Sequence, residues 1–323
     1  MNYGFAEFNC FASLSFSGRG VHLEGESVWM TKDLLVARRT PFAMDEFWKT
    51  QLGEIAANKV SNSNTVLIAL STGDNYEELK SYLHSFHYGL MLQGTGYNCG
   101  QEGWIIAGPV KNCELRSSSV GSMFRFHEPA KVITSAIEVV RLKRALVLAA
   151  GIDAIYSNQP SDKYLRLRKG FDAYVLGLRS NQFHIRLHQF VRAIESVVMP
   201  RRSNLKNDFK LKSKVIIGDN DEREDILNDL YELRSAAEHL SPMHSKLDRF
   251  DPDRRNDILA TRSYQAEILA RFAFCSVLED VAVRDRFKSD DTIADFWTAP
   301  VFSTQVNLVA AATENYYTFL NPN

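Results

Sequence analysis

The strongest constraint on this chain's fold is an asymmetry along its length: strand signals fill the first part and nearly vanish from Lys131 onward. In the first part, Cys10, Ala12, Leu14 and Phe16 alternate with polar neighbours, and Gly18-Arg-Gly20 reads as a turn before Val21-His-Leu23. Further strands are expected at Ser27–Met30, Thr65–Leu70, Trp104–Ala107 and Met123–Phe126, the last ended by Pro129. A helix is expected over Met44–Lys59, where Phe47, Trp48, Leu52 and Ile55 fall at helical spacing. Another opens at Asn75, with Glu78 in a capping-box position and Leu79, Tyr82, Leu83, Phe86 and Leu90 on one side. Gly94–Gly100 follows that helix and reads as its stop and a turn, not as a dinucleotide loop, which would follow a strand. Beyond Lys131 the pattern predicts helices at 131–149, 162–179, 182–199, 222–240, 253–287 and 291–297, punctuated by Gly151, Pro200, Gly218 and Pro252. The Ala-rich stretch 301–319 is expected to dock as a final helix. The fold class that follows is α+β: a small N-terminal mixed α/β domain over residues 1–128, then an all-α domain over 129–323.

Composition narrows the function. At 323 residues, 45% of them apolar and 24% charged, the chain is long enough for two domains with real cores. A formal net charge of −1 means that any nucleic-acid surface must be a local patch. The four cysteines, Cys10, Cys99, Cys113 and Cys275, show neither zinc spacing nor a disulfide framework. The N-terminus lacks a basic leader with an apolar run, and the apolar segment Ala145–Ala154 is too short to span a bilayer, so a cytoplasmic location and no membrane are expected. No cofactor and no metal site is expected. His184 and His188 share a helix face, but Ile185-Arg-Leu187 between them lacks the Glu of a zincin. Asp219-Asn-Asp221 starts like a calcium loop, yet Arg223 stands at its fifth position and the sixth is not Gly. His84 and His87 flank a helix stripe and read as packing or surface residues.

The chemistry concentrates in one stretch, Asp221–Pro242. Ile226, Leu230, Leu233, Ala237 and Leu240 recur in steps of four, three, four and three, a narrow apolar stripe on a helix. Asn228, Tyr231, Ser235 and His239 project from the opposite side, with Arg234 and Glu238 on the flank. Asp221, Glu222, Glu224 and Asp225 suit the positive end of the helix dipole, and Pro242 marks a stop. Arg234 and His239 form an Arg-x4-His pair. Taken blandly, Arg234 and Glu238 are an i,i+4 ion pair in the less favourable order, and His239 is a last-turn residue. Spacing alone does not decide, because Arg179 and His184 match the same pattern. That second pair straddles an expected helix junction at Ser180-Asn181 and lacks the surrounding residues.

Those surrounding residues carry a family resemblance. Ile226–Leu240 resembles the motif helix of the HEPN superfamily, especially the Apea-like group, with Tyr231, Leu233, Arg234, Ser235 and His239 in register. Gln189–Val197, containing Ala193, Ile194 and Glu195, is similar to an earlier core helix of that group, and 253–287 occupies the place of the helix after the motif. The resemblance covers about residues 160–298 and leaves residues 1–128 unassigned, their role expected to be sensing or regulation. It implies a helical bundle that forms a homodimer through the motif helix, and a metal-independent endoribonuclease acting as a toxin or antiviral-defence effector, with a regulatory protein as a further partner. In that role His239 would move the proton of the RNA 2′-hydroxyl, Arg234 would stabilise phosphate charge, and Ser235 would orient the imidazole or hold a phosphate oxygen. The resemblance equally admits a non-catalytic HEPN module binding RNA or protein, or a partner of a nucleotidyltransferase modified at Tyr231.

A five-residue separation turns His239 about 140° from Arg234, so one helix cannot easily aim both at one phosphate. Two antiparallel copies across a dyad would bring them together. Just before the motif helix, Arg201, Arg202, Lys206, Lys210, Lys212 and Lys214 stand against the single acid Asp208, a candidate RNA-backbone surface or a solvated basic helix face. Lys163, Arg166, Arg168 and Lys169 form a second cluster.

Overall fold

A computed structural model of the chain describes residues 7–16, 22–23, 25–40, 46–93, 103–109, 116–120, 136–157, 162–217 and 221–298. It is an α+β protein that divides into two compact units between Asp153 and Ala154.

The first unit is built on strand β1 (Cys10–Phe16). A short β2 (His22–Leu23) follows, then β3 (Ser27–Trp29), β4 (Leu34–Ala37), β5 (Thr65–Ser71), β6 (Gly103–Pro109) and β7 (Arg116–Val120). All but β2 join one antiparallel sheet in the order β3-β4-β5-β1-β6-β7, while β2 pairs in parallel with β8 (Ala136–Ile137). Leu14 lies between Leu67 and Ile105 in register. The two-residue period of a strand sends Ala12, Leu14, Leu67, Ala69 and Ile105 to one face. There they pack on Leu83, Phe86 and Leu90 of α3 (Tyr76–Leu92) and on Leu142, Ala145 and Ala149 of α4 (Val139–Tyr156). Phe11, Val66, Ile68 and Ile106 go to the other face, under Trp48 and Leu52 of α1 (Glu46–Leu52) and Val60 of α2 (Glu54–Ser61). Burial on both faces explains the unbroken apolar runs of β4 and β5. It also explains why β4, four buried residues without alternation, escapes a period-two reading.

Several expectations for this unit change. Helix α4, expected within the helical domain, contributes its apolar side to the sheet's core, and Gly151 sits inside that helix instead of ending it. Met44–Lys59 is two helices, broken at Gly53, whose φ of 80° favours glycine. Asn75 does cap α3, its side chain accepting the Glu78 N–H at 3.3 Å. The strand expected at Met123–Phe126, the turns at Gly18–Gly20 and Gly94–Gly100, and the helix at 301–319 lie outside the described residues.

The second unit is helical: α5 (Leu165–Arg179), α6 (Phe183–Val198), α7 (Leu205–Ile217), α8 (Asp221–Glu238), α9 (Arg255–Leu278), α10 (Val281–Asp285) and α11 (Asp290–Thr298). Helix α6 is the hub, packing on α5, α8 and α9. Its close approach to α5 requires Gly170, where an added Cβ would collide with Ser196. Between α6 and α9, fully buried Arg186 donates to Glu267 at 2.9 Å, with the Phe190 and Tyr264 rings 5.7 and 5.3 Å from its guanidinium carbon. Buried Asp229 of α8 accepts from Arg249 at 2.6 Å and from Arg262 of α9 at 2.9 Å, tying down the segment between those helices. The expected 253–287 helix is broken where Asp280 accepts from the Ala282 and Val283 N–H groups and caps α10.

Candidate functional site

Helix α8 buries Ile226, Leu227, Leu230, Leu233 and Ala236, so the stripe is real but slightly rotated from the expected one. Leu240 is not part of it. The helix ends at Glu238, and Leu240 adopts a left-handed φ of 54° with 93% of its surface exposed. The Ser241 N–H donates to Ala236 O at 2.9 Å and the Leu240 N–H to Ala237 O at 3.4 Å, the Schellman arrangement that closes a helix C-terminus.

This ending sets the two motif residues in different surroundings. His239 is the exposed residue just beyond the last helical turn, its backbone N–H donating to Ser235 O at 3.1 Å. Arg234 is drawn the other way, against α6, with a 17% exposed side chain. It donates through Nη2 to Glu195 at 2.9 Å and through Nη1 to Glu238, while its Nε–H is buried without an acceptor. Burial pushes the Glu195 carboxyl above its usual range, with the Arg234 charge working against that shift. On the same face of α6, burial and then the charges of Arg192 and Arg234 lower the pKa of His188, whose Nε2 has no partner. Tyr231 leans on Phe209 of α7 with ring centroids 5.8 Å apart, and burial raises its hydroxyl's pKa.

Beside Arg234 opens a cleft of about 650 Å³, walled by residues of α5, α6, α7, α8 and α11 and of the segment before α7. Of the expected site residues, Arg234, Arg201 and Arg202 line it, and Ser235, His239, Lys206 and Lys210 do not. Arg201 grips buried Asp208 with two bonds of 2.7 and 2.9 Å, which hold that carboxyl down to about 2. The stretch expected as a basic patch forms α7, and most of its charge is answered by α8. Lys206 reaches Glu232 at 2.7 Å, while Lys210 and Lys214 reach Glu224 at 3.0 and 2.6 Å. From the second cluster, Arg166 lines the cleft and makes a two-bond pair with Asp290.

The second Arg-x4-His match lies at the α5–α6 junction. Arg179 ends α5, His184 lies in the first turn of α6, and both are exposed. Among the described residues no group of three or more His, Cys, Asp or Glu could hold a metal, and no helix is long and apolar enough to cross a membrane. Lys212, named in the basic stretch, and Glu195, named in the resembling core helix, line the cleft with Trp297, which sequence did not single out.

No protein-family model, curated protein or solved structure matches this chain.

Proposed function

We propose that the chain is a HEPN-type endoribonuclease whose active site is completed by a second copy of itself. The observation that carries this reading is the divergence of the two motif side chains: Arg234 faces a cleft on the α6 side of α8, whereas His239 stands exposed at the helix end. One chain thus offers an anchored cation and, separately, an accessible titratable base. An antiparallel pairing of two α8 helices places the His239 of each copy toward the Arg234 of the other. There His239 takes the proton from an RNA 2′-hydroxyl as its oxygen attacks phosphorus. The new O2′–P bond forms, the P–O5′ bond breaks, and the departing 5′-oxygen takes up a proton. The products are a 2′,3′-cyclic phosphate and a 5′-hydroxyl. Arg234 stabilises the charge that grows on the phosphate oxygens. Ser235, one turn before His239, holds the imidazole or a phosphate oxygen.

The test is incubation of single-stranded RNA with the full chain in EDTA. Wild type is expected to cut, His239→Ala to be inactive, and a 2′-deoxy substitution at the cut site to block cleavage. Absence of cutting by wild type, or equal cutting by the variant, sinks the proposal. One observation favours a second reading, a HEPN module that binds RNA without cutting it. Both Nη groups of Arg234 already hold carboxylates, which compete with a substrate phosphate. That reading expects salt-sensitive binding that is weakened by charge reversal at Arg201, Arg202 and Lys206, with no product formed.

A further inference from the structure

The cleft beside Arg234 combines two surfaces of opposite character. Arg201 and Arg202 just before α7 and Lys212 within it line the cleft around Asp208, while the cleft's other two carboxylates, Glu195 and Asp290, are held by Arg234 and Arg166. Arg202 is exposed and has no acidic partner among the described residues. Met199, Leu205, Leu211 and Trp297 give the wall an apolar and aromatic part, beside the paired charges Arg166–Asp290 and Arg234–Glu195. Leu211 is 62% exposed although it sits on a helix with a well-buried opposite side, so it is presented to the cleft and not to a core. Trp297 is held in place, its indole N–H donating to Val197 O at 2.9 Å and the Lys212 ammonium lying 5.4 Å from its ring centroid. Arg234 adds a buried N–H without an acceptor.

Cations beside a fixed aromatic and exposed leucine suit a ligand that carries both a phosphate and a flat apolar ring. A volume of about 650 Å³ falls within the range of small-molecule pockets and is too small for a folded partner. We propose that this cleft is a nucleotide subsite taking one nucleotide of a single RNA strand. The phosphate is held by Arg201, Arg202 and Lys212, and the base lies against Trp297 and Leu211. A strand anchored there passes Arg234, which lines the same cleft. The identity of the ligand as RNA rests on the ribonuclease reading above; the existence of the subsite does not.

The experiment uses a fluorescein-labelled 2′-O-methyl oligoribonucleotide, which cannot be cut, bound to the full chain and followed by anisotropy. Arg202→Glu and Leu211→Glu both alter exposed side chains, so folding is not at stake. Each is expected to weaken binding about tenfold or more, while Arg254→Glu, an exposed charge away from the cleft, leaves it near wild type. Titration is also expected to change tryptophan emission in wild type and not in Trp297→Phe. Wild-type affinity in both cleft variants, or equal loss in Arg254→Glu, overturns the subsite. Cleavage is read separately on unmodified RNA. Cleft-dependent binding without any cutting overturns the ribonuclease reading alone, and cutting with binding indifferent to Arg202 and Leu211 overturns the subsite alone.

Discussion

At the scale of single residues, Leu240 is one of three non-glycine residues among those described with a left-handed backbone, beside Tyr164 and Met199. A left-handed backbone costs a residue with a Cβ roughly 1–2 kcal/mol, and glycine is the usual occupant of this position in a Schellman ending. Because Leu240 is 93% exposed, it recovers almost nothing by burial. Leu240→Gly is therefore expected to raise stability by about 0.5 kcal/mol, the relief of strain offset in part by the greater freedom of glycine in the unfolded chain. Urea unfolding checks this, and a loss of stability would show that the leucine is held by something else. The same residue marks a limit of pattern reading. Leu240 continues the apolar spacing of α8, and only the backbone reversal after Glu238 removes it from the core. The Arg234–Glu238 pair was legible because both residues lie on one helix. The Arg234–Glu195 pair was not, since it joins residues 39 apart that only packing brings together.

At the scale of elements, ion pairs divide into those that hold the fold and those that decorate it. Helix α7 was read as a basic stretch because its lysines dominate the sequence, although Phe209, Ser213, Ile216 and Ile217 supply a buried side. Its answering acids, Glu224 and Glu232, sit in the next helix, so the balance appears only once α7 and α8 are packed. These contacts are open to water and are worth little. The Arg186–Glu267 pair between α6 and α9 differs, with side chains 1% and 3% exposed. Glu267→Ala leaves a buried guanidinium without its carboxylate and is expected to cost about 3–5 kcal/mol. Glu224→Ala should have a far smaller effect in the same denaturant titration. Equal effects would mean that burial is not what separates the two pairs.

At the scale of the whole molecule, the α+β organisation was legible from where strand signals stop, but the packing of α4 was not. Helix α4 reads as the first member of the helical series, and its apolar side turns out to close the core of the sheet unit. Of the candidate site, only a pair of residues was legible, because the cleft beside Arg234 forms only when α5, α6, α7, α8 and α11 pack. If each active site takes Arg234 from one copy and His239 from the other, two inactive variants can repair each other. Mixing Arg234→Ala with His239→Ala should restore up to about a quarter of wild-type activity, since about half the dimers are mixed and each mixed dimer rebuilds one of its two sites. A site complete within one chain gives no recovery on mixing. The anchoring of Asp229 bears on such a site as well. Arg249 and Arg262 fasten the segment after His239 back onto the helix that carries it. The backbone around the histidine therefore surrenders its conformational freedom when the protein folds, and under the proposed mechanism the base would meet its substrate with that ordering entropy already settled.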